Sequence, residues 1–162
     1  MQLSEKYAVQ VVELLTKRKE TLALAESCTG GYIAHLITSV PGASQVFLGS
    51  VVSYANDAKM KLLGVSENTL KHVGAVSEES ALAMAAGAKA LFGSDWALST
   101  TGIAGPGGGT KRKPVGTLFF SIRGPKESQV SHLHVEDLDR KKNVHAFAQT
   151  ALKNLYDAIL TP

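Results

Sequence analysis

Ser27 is the first side chain whose type and setting suit nucleophilic chemistry. It follows the short apolar segment 21–25, which the pattern predicts to be a buried strand, and Gly30-Gly31 then lead into a helix. At such a turn the Ser27 hydroxyl would face solvent, near the free N–H groups and the positive end of the following helix. That position suits a nucleophile or an anion site, and it equally suits a plain helix cap formed by Ser27 or Thr29.

Cys28 is the rival nucleophile beside Ser27. Adjacent residues on a strand or turn point in different directions, so only one of the two can face a shared site. A lone cysteine is more often a small buried thiol, and we expect that here. Because the chain has one cysteine, we expect neither an intramolecular disulfide nor a cysteine zinc site.

The histidines offer no obvious base for a serine nucleophile. They fall on a predicted helix, near a loop, and in the last third of the chain (His35, His72, His132, His134 and His145). His132 and His134 alternate along a predicted strand and share a face. They could form a metal pair, but two solvent-facing side chains are the simpler interpretation.

Lys59 can replace histidine as the base if burial and neighbouring charge lower its pKa. It lies one turn into a predicted helix that follows the strand ending at Tyr54, and Tyr54 could relay a proton to the leaving group. The alternatives are a solvated surface lysine and a tyrosine used for core packing.

A glycine-rich loop, 102–109, presents backbone N–H groups with little side-chain obstruction. It suits an oxyanion hole or a phosphate nest, and the alternative is a flexible surface loop. The basic run 111–113 directly after it would favour an anionic ligand, unless these side chains are simply solvated.

The composition predicts one domain over residues 1–162. The chain is 44% apolar and 6% aromatic, with a formal charge of +3. Its basic clusters lack interleaved aromatic residues, so we expect no nucleic-acid partner. The N-terminus lacks signal-peptide features and no apolar run is long enough to span a membrane, which together predict a cytoplasmic protein with no membrane partner.

Strand and helix patterns alternate along the chain, followed by a hairpin and a closing helix. Predicted strands cover 21–25, 47–54, 95–100, 115–123 and 128–135; predicted helices cover 4–18, 78–92 and shorter stretches between. This order predicts a three-layer α/β/α sandwich with a mixed, mainly parallel sheet. Ligands bind beyond the carboxyl ends of parallel strands, where segments 27–31, 54–59 and 101–109 would converge.

Several motifs in series resemble the CinA C-terminal domain family. They are, in the family's order, Ala25 to Gly31, Pro41 to Ser44, Val52 to Lys59, Leu63 to Val65, Gly74 to Glu78, Thr101 to Gly108 and Lys113 to Thr117. The match covers roughly residues 5 to 123 and weakens toward the final helix. The stand-alone form of this family is the expected type.

The resemblance implies hydrolysis of the carboxamide of nicotinamide mononucleotide to nicotinate mononucleotide and ammonia, a step of pyridine-nucleotide salvage. It implies Ser27 as nucleophile, Lys59 as base and Tyr54 as acid or relay. It also implies substrate contacts from Thr29, Gly30, Gly31, Asn56, Thr101, Gly102, Gly105 and Arg140. No metal and no other cofactor are expected, the partner is a small nucleotide, and a homo-oligomer is expected.

Two departures from the family pattern bear on the substrate. Thr101 stands where relatives often have serine, which keeps the hydroxyl. Before the last helix, Leu138-Asp139-Arg140 keeps Asp and Arg, but the second arginine of the pattern is replaced by Val144, with His145 next. A non-catalytic nucleotide-binding or regulatory relative, or a hydrolase of another amide, are therefore the alternatives.

Overall fold

The structure is a computed structural model that describes residues 1–136 and 139–161. The helices are α1 (Leu3–Arg18), α2 (Tyr32–Thr38), α3 (Asn56–Leu63), α4 (Glu67–His72), α5 (Glu78–Phe92) and α6 (Arg140–Leu160). The strands are β1 (Leu22–Glu26), β2 (Phe47–Val52), β3 (Trp96–Gly102), β4 (Thr117–Arg123) and β5 (Ser128–His134). A 3-10 turn covers Ala43–Gln45.

Two helices end or begin at residues that commonly cap helices. The Ser77 side chain accepts the Ser80 N–H at the start of α5, and Gly93 ends that helix in the left-handed conformation. Gly64 ends α3 in the same way. The bounds predicted for α5, 78–92, are confirmed.

Among the described residues, the sheet has five strands in the order β2-β1-β3-β4-β5. β1 pairs in parallel with β2 and β3, whereas the pairs β3–β4 and β4–β5 are antiparallel. The mixed sheet is confirmed. Four of its strands run in one direction, although the pairings divide evenly between the two types because β4 returns against β3.

Helices cover both faces of the sheet and complete the three layers. Leu22 and Leu24 face a core shared with α1, α2 and α6. The alternate residues Ala23 and Ala25 face a second core with α3 and α5. The period-2 alternation of β1 therefore puts large side chains on one face and small ones on the other, where α5 can lie close.

Gly87 permits the close approach of α5 to α3. A Cβ at this position would lie 2.0 Å from the Leu63 carbonyl oxygen. The packing fixes α3, and with it Lys59, against the sheet. Among the described helices, none is both long and apolar enough to cross a membrane.

Candidate active site

A cavity of about 270 Å³ opens where β1, β2 and β3 end. Its lining comes from the three segments expected to converge there, together with parts of the α4–α5 connection and α6 (Ser27, Cys28, Tyr54, Asn56, Lys59, Ala75, Val76, Thr101 to Gly105, Gly107, Gly108 and Arg140). Parallel strands bring their carboxyl ends to one edge of a sheet, which explains why residues so distant in sequence meet.

Lys59 places its amine directly against Ser27. The Nζ atom lies 3.0 Å from Ser27 Oγ, 2.8 Å from the Ser53 carbonyl oxygen and 3.1 Å from the Tyr54 carbonyl oxygen. Lys59 is 1% exposed and Ser27 is 8% exposed. The prediction that the Ser27 hydroxyl faces open solvent is therefore wrong. The hydroxyl lines a cavity instead.

Burial lowers the pKa of Lys59 below the ordinary lysine value of 10.5. The contacts also show how the neutral amine would be oriented. A neutral lysine amine has two hydrogens to donate and one lone pair that can accept. The two carbonyls can only accept, so they take the two N–H bonds. Ser27 is the one partner with a hydrogen to give, and its hydroxyl faces the lone pair. This is the arrangement that a general base requires.

Cys28 is 7% exposed and belongs to the core cluster under α2 and α6. Burial, followed by the nearby Glu26 charge, raises the pKa of its thiol to about 12. Although the sulfur also borders the cavity, the thiolate needed for attack is scarce at neutral pH. The expectation of a buried structural thiol is confirmed.

Tyr54 and Arg140 form the rim of the cavity. Arg140 donates from Nη2 to Tyr54 Oη at 2.7 Å and from Nη1 to the Gly105 carbonyl oxygen at 2.6 Å. Tyr54 is 59% exposed, so it is not a core-packing tyrosine. Because Oη accepts from the guanidinium, the phenol hydrogen points away from Arg140 and can serve a ligand.

The direction of the Gly102 N–H, at the end of β3, follows from that of its neighbour Ile103. Ile103 N–H donates to the Thr117 carbonyl oxygen on β4 at 2.9 Å. Backbone N–H groups alternate sides along a strand, so the Gly102 N–H points the other way, over the end of β1. Thr101 and Asn56 also line the cavity, and the Thr101 hydroxyl donates to the Ala75 carbonyl oxygen at 2.8 Å.

Three predicted substrate-binding residues are not among those that line this cavity. Thr29 is 3% exposed and donates its hydroxyl to Glu26 at 2.6 Å. Gly31 N–H donates to the same carboxylate at 3.1 Å, and Gly30 N–H closes the turn onto Ser27 at 3.0 Å. All three residues build the turn, and none is among the residues that line the cavity.

The capping alternative for Ser27 and Thr29 is also wrong. The residue before α2 is Gly31, which has a φ of 96° and no side-chain cap. The N–H groups of Ile33 and Ala34 are satisfied by Glu26 at 3.1 and 2.9 Å. The start of α2 is thus occupied by the chain's own carboxylate. The sequence did contain a signal for this arrangement. Glu26 follows a fully apolar strand, and a buried carboxylate requires hydrogen-bond donors nearby.

The residues around Arg140 divide between the rim and the core. Leu138 lies outside the described residues. Val144 packs against the core, and His145 stacks on Tyr32 with ring centroids 4.7 Å apart. Lys113, in the basic run after the glycine-rich loop, donates to the Val73 carbonyl oxygen, so its amine is held by the main chain that follows α4.

Other parts of the described chain hold no better site. A larger cavity, about 850 Å³, lies at the opposite end of the sheet beside Trp96. Two of its charged side chains pair with each other, since Glu20 accepts from Arg18 and also from the Trp96 indole. His132 and His134 are exposed on β5 as expected. Within residues 1–136 and 139–161, no group of three metal-binding side chains occurs.

Comparison with known proteins decides the family. The model of the CinA C-terminal domain matches residues 4–159. This chain belongs to the CinA C-terminal domain family. A CinA-like protein of Desulfosudis oleivorans is 49% identical over 93% of the chain, and one of Thermotoga maritima is 58% identical over 73%. The chain spans only 37% and 29% of the length of these two relatives.

Solved structures of the family share the whole fold. A competence/damage-inducible protein of Agrobacterium tumefaciens has a TM-score of 0.96 and 36% identity, covering 99% of this chain and 98% of that one. A CinA superfamily protein of Escherichia coli has a TM-score of 0.90 and 29% identity, covering 97% and 90%. The α/β/α fold expected from the sequence is therefore confirmed at the level of the family.

Proposed function

We propose that the protein hydrolyses the carboxamide of nicotinamide mononucleotide, using Ser27 as nucleophile and Lys59 as base. The observation that carries the chemistry is the buried amine 3.0 Å from Ser27 Oγ, with its other two partners both carbonyl oxygens. The family membership supports the substrate, because the resemblance of the motifs implies this nucleotide.

In the first half-reaction Ser27 Oγ attacks the carboxamide carbon while its proton passes to the neutral Lys59 amine. The carbonyl oxygen becomes an oxyanion, and the Gly102 N–H is the donor we assign to it. The C–N bond then breaks as Lys59 returns the proton to the leaving nitrogen, directly or relayed through the Tyr54 hydroxyl, and ammonia departs. Ser27 is left as an ester of nicotinate mononucleotide.

In the second half-reaction water attacks the ester carbon and gives a proton to Lys59. The same donor holds the oxyanion, and the Ser27–acyl bond breaks as Ser27 recovers a proton. Nicotinate mononucleotide is released and the resting state is restored. Each step uses only groups at the cavity, and atoms and charges balance over the cycle.

A hydrolase of another amide is the second candidate, and Arg140 is the observation that favours it. Its guanidinium already binds Tyr54 Oη and the Gly105 carbonyl oxygen. These two contacts leave a phosphate only the remaining N–H donors of the guanidinium, whereas a neutral amide requires none of them. A nucleotide-binding relative without turnover is the remaining alternative.

A panel of carboxamides tests the substrate. Nicotinamide mononucleotide, nicotinamide riboside and nicotinamide differ only by phosphate and ribose, and ammonia release reports each. We expect turnover of the mononucleotide and at least ~10-fold lower kcat/KM without the phosphate. Preferred turnover of a neutral amide would favour the second candidate, and binding that raises the Tm without ammonia release would favour the third.

We further propose a cytoplasmic location and a homo-oligomeric state. Large apolar side chains remain exposed on the edge strand β2, with Leu48 at 44% and Val52 at 47% exposed. Such a surface favours association between chains. Sedimentation equilibrium measures the mass in solution, and a monomer at micromolar concentration would refute the oligomer.

A further inference from the structure

Glu26 carries a buried carboxylate to which the proposed mechanism gives no role. It is 1% exposed. Its Oε2 accepts from the Thr29 hydroxyl at 2.6 Å and from the N–H groups of Gly31 and Ile33 at 3.1 Å. Its Oε1 accepts from the Ala34 N–H at 2.9 Å. The Ser50 hydroxyl also lies 3.5 Å from Oε1. A carboxylate offers about four acceptor sites, so these contacts fill it.

We propose that Glu26 is a positioning residue for Ser27. Its carboxylate fixes the turn 27–30 so that the Ser27 hydroxyl meets the Lys59 amine. The inference rests on the proposed function for the role of Ser27. It assigns Glu26 no contact with the substrate, because Glu26 is not among the described residues that line the cavity.

The hydrogen-bond directions in this network are determined by its composition. Thr29 has one hydroxyl hydrogen, and the Glu26 carboxylate can only accept, so Thr29 donates to Glu26. Thr100 Oγ1, 2.8 Å from Thr29 Oγ1, must then donate to Thr29. The Thr100 carbonyl oxygen also accepts the Ser27 N–H at 2.9 Å. Ser27 and Thr29, near the two ends of the turn, are thus both hydrogen-bonded to Thr100.

The main chain of Glu26 also leads to the base. Its carbonyl oxygen accepts the Ser53 N–H at 2.9 Å, and the Ser53 carbonyl oxygen accepts from Lys59 Nζ at 2.8 Å. Glu26 therefore holds the nucleophile through its side chain and the base through its backbone. A shift of this residue would alter both partners of the Ser27–Lys59 contact.

Loss of the hydrogen bonds to the Glu26 carboxylate should reduce the reactivity of Ser27 more than it weakens substrate binding. A misplacement of about 1 Å at a reacting group can lower a rate by ~10²-fold. We expect kcat to fall about 10- to 100-fold while KM changes less than about 3-fold. The pH dependence should keep its midpoint, because Lys59 keeps its own surroundings.

Labelling of Ser27 by a fluorophosphonate, which reacts with activated serines, tests this without the substrate. The deciding variant is Thr29→Val, which removes one hydrogen bond to the carboxylate at nearly constant volume. Thr29→Ser restores the hydroxyl, and Thr38→Val makes the same substitution at an exposed position of α2. Glu26→Gln is the direct variant, but an amide facing several N–H donors can unfold the chain.

We expect Thr29→Val to lower the second-order labelling rate about 10-fold or more, with the fraction of protein finally labelled unchanged. Thr29→Ser should recover most of the rate, Thr38→Val should match wild type, and the pH midpoint should be common to all. A merely structural role would reduce the labelled fraction and leave the rate constant unchanged.

Equal labelling rates in wild type and Thr29→Val would overturn the inference, even if nicotinamide mononucleotide is hydrolysed. A wild type that is labelled at Ser27 and weakened by Thr29→Val, yet releases no ammonia from the nucleotide, would support the inference and refute the proposed substrate. A wild type that is not labelled would overturn both the serine–lysine chemistry and the role of Glu26.

Discussion

The Lys59 amine lies 3.0 Å from the Ser27 hydroxyl, although 32 positions separate the two residues in sequence. The pair forms because β1 and β2 are parallel neighbours whose carboxyl ends lie at one edge of the sheet. Ser27 leaves the end of β1, and Lys59 is one turn into the helix that follows β2. Burial then separates the amine from water, which favours its neutral form.

The rate of Ser27 acylation should rise with pH and level off below the ordinary lysine pKa of 10.5. The base must be unprotonated, and burial lowers the pKa of Lys59, so activity is lost as pH falls through that lowered value. Single-turnover ammonia release over a pH series measures the midpoint. A rate that climbs until the ordinary lysine value would contradict a depressed amine.

Lys59→Met should remove nearly all activity, at least ~10³-fold, because methionine preserves length and lacks a proton acceptor of adequate basicity. Lys59→Arg tests charge alone and should be equally inactive, since guanidinium stays protonated. Activity in Lys59→Arg near the wild-type level would show that a cation, and not a base, is required.

The same Lys59→Met variant should change how stability depends on pH. The lowered pKa means that the unfolded chain binds this proton more tightly, so wild type loses stability relative to Lys59→Met as pH falls below 10.5. The loss stops once pH is below the native value. Urea unfolding of both proteins over a pH series checks this; a constant difference would contradict it.

Cys28→Ala should keep wild-type kcat, because the pKa of the thiol is raised to about 12 and the thiolate is scarce. The stability cost should be on the order of 1 kcal/mol, as for the loss of a small buried side chain. Ammonia release and urea unfolding measure the two effects. Loss of turnover with intact folding would reinstate the sulfur as nucleophile.

Gly102→Ala should reduce both stability and turnover. A Cβ there would lie 2.5 Å from the Thr117 carbonyl oxygen and 3.2 Å from Cys28 Sγ, so β3 and the N–H assigned to the oxyanion must move. Overpacking of this kind costs about 1–3 kcal/mol. Gly107→Ala is the matched control for stability, since its Cβ would meet nothing within 4 Å. Equal stability of the two variants in urea unfolding, or wild-type ammonia release by Gly102→Ala, would contradict this role.

Much of the fold could be predicted because its signals are local. Short apolar segments predict strands such as 21–25, and Ser77, Gly93 and Gly64 mark helix ends by their own conformational preferences. The three strand-end segments of the cavity could be predicted because strand direction alone brings them together. Ala23 and Ala25 pack against α5, and their small side chains allow that helix to lie close to the sheet.

The parts that were missed depend on side-chain partners. Whether the start of α2 binds a ligand or an internal carboxylate depends on where the Glu26 side chain turns, which spacing does not determine. Thr29, Gly30 and Gly31 were predicted to contact the substrate, and spacing could not show the hydrogen bonds that they make within the turn. Likewise, the hydrogen bond between Arg140 and Tyr54 joins residues 86 positions apart, so no local pattern in the sequence indicates it.

The most direct test of the central claim compares ammonia release from nicotinamide mononucleotide by wild type and by Ser27→Ala, with Ser128→Ala, an exposed serine on β5, as the control. We expect measurable turnover by wild type and Ser128→Ala, and a rate at least ~10³-fold lower for folded Ser27→Ala. Undiminished release by Ser27→Ala, or no release by wild type, would contradict the assignment of Ser27 as the nucleophile of a nicotinamide-nucleotide amidohydrolase.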